Sequence, residues 1–110
     1  VKANRYLKFN DRVPEHIQLA LEEYIIHGYP PGSFVTAVLC NNLIKAACSC
    51  DYLNQQYLID IAKWVFHAAP IGCWGDERTI ARWVADTDQI RTNFVVPLQK
   101  QKMWEMLQQV

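Results

Sequence analysis

His27-Gly28-Tyr29-Pro30-Pro31-Gly32-Ser33-Phe34-Val35-Thr36-Ala37-Val38-Leu39-Cys40-Asn41-Asn42-Leu43 is the stretch whose reading decides the fold. It has to end one helix, turn the backbone and begin another. Gly28 suits the left-handed position that closes a helix, because without a Cβ it takes positive φ at little steric cost. Tyr29-Pro30-Pro31 then forbids helix: each proline fixes φ, lacks an N–H and drives the residue before it toward extended geometry. The Ser33 hydroxyl is placed to accept a bond from a first-turn N–H, and Phe34, Val38 and Leu39 recur at helical spacing. A second helix is therefore predicted from about Phe34 to about Ala47.

Upstream, Pro14 fits the first position of a helix whose Glu15 complements the dipole. Ile17, Leu21, Tyr24 and Ile25 share one face of it as far as Gly28. Downstream, Cys48-Ser49-Cys50-Asp51 breaks the pattern, and Asp51 or Asn54 can cap a third helix reaching about Ala68. Its inward face is Leu58, Ile61, Ala62 and Val65, with Tyr57 and Trp64 at the edges. Pro70-Ile71-Gly72-Cys73-Trp74-Gly75 makes the second corner. Asp76 caps a short fourth helix with Ile80, Trp83 and Val84 inward, and Asp86-Thr87-Asp88 closes it. Ile90 to Val96 is a β-branched patch too short to demand a sheet. Pro97 starts a last helix with Met103, Met106, Leu107 and Val110 in a stripe, expected as core or as a self-association seam. The expected fold is all-α: a compact single-domain bundle of four to five short helices over residues 13–110. Residues 1–12 form a basic N-terminal arm, in which Tyr6, Leu7 and Phe9 suit a short strand or a segment lying on the body.

At 110 residues, 51% hydrophobic and 20% charged, the chain has the balance of one globular domain with one core. Eleven basic and eleven acidic residues cancel, which removes any general pull toward nucleic acid or a membrane surface. The charge is uneven, since Lys2, Arg5, Lys8 and Arg12 make the arm basic ahead of a more acidic body. No apolar leader precedes Asn4 and no run approaches transmembrane length. Cys40, Cys48, Cys50 and Cys73 are accordingly expected as reduced thiols in a cytoplasmic protein.

Val13-Pro14-Glu15-His16, the Gly28 to Leu43 stretch and Ala69-Pro70-Ile71-Gly72-Cys73-Trp74-Gly75 together resemble small bacteriophage-encoded accessory proteins. The resemblance covers roughly residues 13 to 85, and its motifs are structural punctuation. It carries no catalytic residues over. What it implies is a protein of the host-cell cytoplasm that binds and redirects a host protein.

Four kinds of site compete. Cys73, between Gly72 and Trp74 and ahead of a helix, with His67 six residues earlier, has the elements of an activated thiol and base. No residue can be assigned to orient that base, and a small side chain filling a tight turn explains Cys73 as well. Cys48 and Cys50 with Cys40 or Cys73, and His67, offer zinc ligands, but a lone Cys-x-Cys without a second pair is not a usual zinc pattern. No metal or other cofactor is therefore expected, and no phosphate-cradling loop is present. Arg78 and Arg82 with Lys2, Arg5 and Lys8 offer a modest nucleic-acid patch, although Phe34 to Leu43 has no basic residue for a reading helix. The aromatic residues favour a protein partner instead, because Tyr, Trp and Arg anchor interfaces. A ring beside two prolines is hard to bury, so Tyr29, Pro30, Pro31, Trp74, Arg78 and Arg82 are the predicted partner-binding residues. The preferred reading is a non-enzymatic module that binds and modulates a host bacterial complex of the defence or nucleic-acid-processing kind. A nucleic-acid-binding regulator and a cysteine-dependent enzyme follow it, and a homodimer stays open.

Overall fold

Helix α1 (Glu15–His27) forms where the apolar spacing places it. The computed structural model that shows it describes residues 5–49 and 52–108, so expectations resting on Lys2, Cys50, Asp51 and Val110 lie outside the described residues. Pro14 sits one place earlier than predicted, at the cap, and its carbonyl accepts the Ile17 and Gln18 N–H groups at 3.0 and 2.9 Å. Gly28 closes the helix at φ 75°, turning its own N–H and that of Tyr29 back onto the Tyr24 and Glu23 carbonyls.

The predicted second helix is two segments, α2 (Ser33–Leu39) and α3 (Leu43–Ser49). Asn41 takes a left-handed φ of 65°, and the Asn42 side chain accepts the Lys45 N–H at 3.0 Å. Asparagine tolerates that conformation and caps well, so the adjacent pair stops one helix and starts the next. Ser33 does not cap α2. Gly32 holds the cap position in extended geometry, no side chain bonds there, and Ser33 is already helical.

The third predicted helix is also divided, into α4 (Tyr52–Gln55) and α5 (Leu58–Ala68), where the Tyr57 N–H returns to the Asn54 carbonyl at 3.0 Å. Helix α6 (Glu77–Ala85) follows Asp76, whose carboxylate accepts the Thr79 N–H and hydroxyl, each at 2.8 Å, as the sequence predicts. Helix α7 (Ile90–Gln108) begins well before Pro97. Asp86, left-handed at φ 56°, ends α6, and across a 3-10 turn (Thr87–Gln89) its carboxylate accepts the Arg91 and Thr92 N–H groups at 2.9 and 3.0 Å and the Thr92 hydroxyl. That cap and the packing of Val95 into the core outweigh the β-branched bias of the patch. Pro97 lies inside α7, where its ring supplies no N–H to the Asn93 carbonyl.

The fold is thus all-α, with no strand among the described residues and more helical segments than the four to five expected. At the α2–α3 boundary a polar side chain, that of Asn42, bonds the backbone, whereas the α4–α5 boundary at Tyr57 has a backbone bond and no side-chain cap. Trp83, Tyr24, Leu21, Ile25, Leu39 and Ile61 form the centre of the core. Its polar tips are satisfied: Trp83 Nε1 donates to the Ile25 carbonyl at 3.2 Å and the Tyr24 hydroxyl to the Cys73 carbonyl at 2.6 Å. Trp64, placed at an edge by the sequence, is buried. Phe9 stacks on it at 4.5 Å and its Nε1 donates to the Lys8 carbonyl at 2.9 Å.

The arm lies on the body as irregular backbone from residue 5 onward. The buried Glu22 carboxylate accepts the Tyr6 and Leu7 N–H groups, each at 3.2 Å, and Arg5 reaches Gln18 and Glu15, each at 2.6 Å. Lys102 of α7 clamps it from outside, 3.3 Å from the Arg5 carbonyl and 4.5 Å from the Tyr6 ring centre. No helix among the described residues is long and apolar enough to cross a membrane.

Candidate functional site

A groove runs between the α2–α3 corner and α5. Val38, Asn41, Asn42, Leu43 and Ala46 make one wall, and Leu58, Ile59, Ala62, Val65 and Phe66 the other. Trp74, from the corner before α6, closes one end. The depression consists of two adjoining hollows of about 100 and 370 Å3, joined through Val38, Asn41 and Ala62.

The groove follows from local sequence. Asn41 and Asn42 kink the chain between α2 and α3, so the second segment cannot continue across α5. On α5, Ile61, Trp64 and Val65 take the core-facing side, leaving Ile59, Ala62 and Phe66 along an adjacent stripe at helical spacing. The sequence assigned Ala62 to the core face; it is exposed and lines the groove instead. Trp74 is held in place because the Gly75 N–H donates to the Leu39 carbonyl at 2.7 Å, and its ring meets Phe66 edge-on at 6.2 Å between centres. Leu43, Ile59 and Phe66 are 66%, 61% and 67% exposed, so three large apolar side chains line one concave strip open to water. Isolated apolar residues on a surface are ordinary; a concave row of them is a docking surface in form.

Of the six predicted partner-binding residues, Trp74 lines this groove. Tyr29 and Pro30 are exposed at the α1–α2 corner, with Pro31 half-buried and the Tyr29 ring 6.0 Å from that of His27. Arg78 and Arg82 are exposed on α6, Arg82 lying 3.4 Å from Asp88. Trp74, from the set expected from the sequence, thus lies at one end of the groove, and Ile59 and Phe66 were not in that set. Their signal was the apolar excess of α5 beyond one core stripe.

Cys73 is fully buried, and burial pushes its thiol up from 9.0 to about 12. A low-pKa thiolate needs the opposite surroundings. His67 is exposed and packs edge-on against Phe66, 5.0 Å between centres. Cys40 is half-buried and held above its ordinary value by burial and by Glu77 and Asp76, while Cys48 is exposed. Among the described residues no three His, Cys, Asp or Glu side chains come together as a metal site. Compared with known proteins, the chain matches no family model, no curated protein and no solved structure.

Proposed function

We propose that the chain is a non-enzymatic helical binding module that takes an amphipathic helix of a larger protein into the α2–α3/α5 groove. Read with the resemblance to phage accessory proteins, that larger protein belongs to a host bacterial complex in the host cytoplasm, which the module modulates or inhibits by occupying its surface. The single observation carrying the reading is the exposure of Leu43, Ile59 and Phe66 along one concave strip ending at Trp74. An apolar helix face laid into a groove is a recurrent recognition mode that uses anchors at i, i+3 or i+4, and i+7. Ile59, Ala62 and Phe66 present that same spacing from the receiving side.

Covering side chains of this size is worth about 1.5 to 3 kcal/mol each when fully exposed area is removed from water. With two-thirds of each already exposed, the three supply several kcal/mol before association costs are met. The Tyr29-Pro30-Pro31 corner and Arg78 and Arg82 then lie outside the anchor region and act at most on its periphery.

The test is capture of partners from bacterial lysate by the wild type, Phe66→Glu and Tyr29→Ala, read by mass spectrometry at low and raised salt. The expected result is a protein retained by the wild type and Tyr29→Ala through raised salt and lost with Phe66→Glu. Capture indifferent to Phe66, or retention that collapses with salt as phosphate-driven binding does, overturns the reading.

A further inference from the structure

We infer that the surface beneath the N-terminal arm is a peptide-binding site that the arm closes in cis, and that its ligand is a non-helical segment of another protein carrying an arginine and, four residues on, an aromatic ring. The site is separate from the groove. Trp64 lies two positions from both Ala62 and Phe66, about 200° around α5, and so faces away from the groove stripe.

The receiving surface is a stripe of α1 with one ring of α5. Glu15, Gln18 and Glu22 are spaced three and four residues apart and therefore share one side of α1. Gln18 and Glu22 are each only 6% exposed, and buried polar groups need partners. The arm supplies them. Arg5 Nη1 and Nη2 donate to Gln18 Oε1 and Glu15 Oε1, each at 2.6 Å, and the Tyr6 and Leu7 N–H groups donate to the two oxygens of Glu22, each at 3.2 Å. Trp64 Nε1 donates to the Lys8 carbonyl at 2.9 Å, and its ring stacks on Phe9 with 4.5 Å between centres and 23° between planes. The body thus reads one guanidinium, two adjacent N–H groups, one carbonyl and one aromatic ring within five residues. The N–H pair and the carbonyl belong to any chain, so the arginine and the ring set the specificity.

Two features give the arm the character of a ligand rather than of core. None of residues 5–12 is buried, although Gln18, Glu22 and Trp64 beneath them are. The core begins at Val13, 1% exposed, and the exposed link before it is held by the Val13 N–H on the Asn10 carbonyl at 3.3 Å and the Arg12 N–H on Asn10 Oδ1 at 2.8 Å. The arm can therefore lift about residues 10–12 while Val13 and α1 stay in place, at a free energy below that of global unfolding. Lifting strips Gln18, Glu22 and Trp64 of their partners, and a segment of the same pattern restores them. The arm of a second copy is a poor occupant, because it offers the tethered arm's contacts without the tether's high effective concentration. A segment of a larger partner adds contacts beyond the site.

The experiment uses the full chain and a synthetic peptide of residues 5–10, acetylated at its N-terminus and labelled at its C-terminus, with fluorescence anisotropy as the readout. The proteins are the wild type, the double variant Arg5→Ala and Phe9→Ala, whose own arm is weakened, and that variant with Glu22→Gln, which sets an amide N–H against one incoming N–H. The double variant is expected to bind at least about tenfold more tightly than wild type, since the tethered arm competes at an effective concentration in the millimolar range. Adding Glu22→Gln, or replacing Arg5 or Phe9 by alanine in the peptide, should each cost about tenfold or more. No gain in the double variant, or binding indifferent to Glu22 or to either peptide replacement, overturns the inference. So does a wild type at twice 12.8 kDa that the two arm substitutions return to 12.8 kDa, because the occupant is then a second copy. Hydrogen exchange on the wild type keeps the test independent of how the variants fold. The Tyr6 and Leu7 amides should exchange at least about a hundredfold faster than that of Ile25, and equal rates overturn the inference because the arm then opens only with the whole fold.

Discussion

Replacing Gly28 with alanine strikes a point where three elements meet. At φ 75° a Cβ is strained whatever the space around it, and left-handed geometry costs an L-residue roughly 1 to 2 kcal/mol. There is also no space: a Cβ built there lies 2.5 Å from Arg91 Cζ and 2.7 Å from its Nε and Nη2. Arg91 would have to withdraw from the α6 C-terminus, where Nε donates to the Trp83 carbonyl at 3.1 Å and Nη2 to the Val84 carbonyl at 3.3 Å. Charged hydrogen bonds are worth about 1.5 to 3 kcal/mol each, but this half-buried guanidinium can regain water, so about 1 to 2 kcal/mol for both is the fitting figure. The whole effect is then about 2 to 4 kcal/mol, a large share of the ~5 to 15 kcal/mol by which a domain is stable. Urea unfolding followed by Trp fluorescence measures it, in the wild-type background and in Arg91→Ala. With Arg91 truncated, only the left-handed strain of about 1 to 2 kcal/mol should remain. Equal losses in both backgrounds, or a loss below about 0.5 kcal/mol, the ordinary range for surface changes, would refute the reasoning.

Three further outcomes follow from single groups. The Cys73 thiol titrates from about 9 when unfolded but only near 12 when buried, so its contribution is complete below pH 9 and is lost as pH rises from there toward 12. The urea midpoint should fall above pH 9, and Cys73→Ala should flatten the fall between pH 9 and 10, before Tyr24, also raised by burial, adds its share; an unchanged midpoint over that interval contradicts this. Glu22→Ala leaves the Tyr6 and Leu7 N–H groups without their acceptor, for a loss of about 1 to 3 kcal/mol. Trypsin should then cut faster after Arg5 and Lys8, and an unaltered rate would show that the arm is held without Glu22. Asp86→Ala removes the acceptor for the first turn of α7, so hydrogen exchange at the Arg91 and Thr92 amides should accelerate while that at Ile25 does not.

Local chemistry decided the corners. Gly28 with Pro30 and Pro31, Asp76, and the Pro70 to Gly75 run shape the backbone within a few residues of themselves, and their effects are readable in order along the chain. The division at Asn41-Asn42 and the start of α7 at Ile90 were written in the same alphabet but masked by helical spacing that continues across them. Asp86 shows why: its carboxylate acts on the backbone five and six residues ahead, beyond the reach of a pattern read turn by turn.

Tertiary structure alone decided the faces. Periodicity marks a side chain as apolar at a given angle; it does not say whether another element arrives to cover it. Trp64 is buried because Phe9 of the arm lies on it, whereas Phe66, two positions on, is exposed because the α2–α3 kink turns away. Met103 and Leu107 look like core in one dimension and face water in three, since the opposite side of α7 already fills the available contact. Burial depends on residues distant in sequence meeting at one place, and one chain of letters holds that information only jointly, never at the position itself.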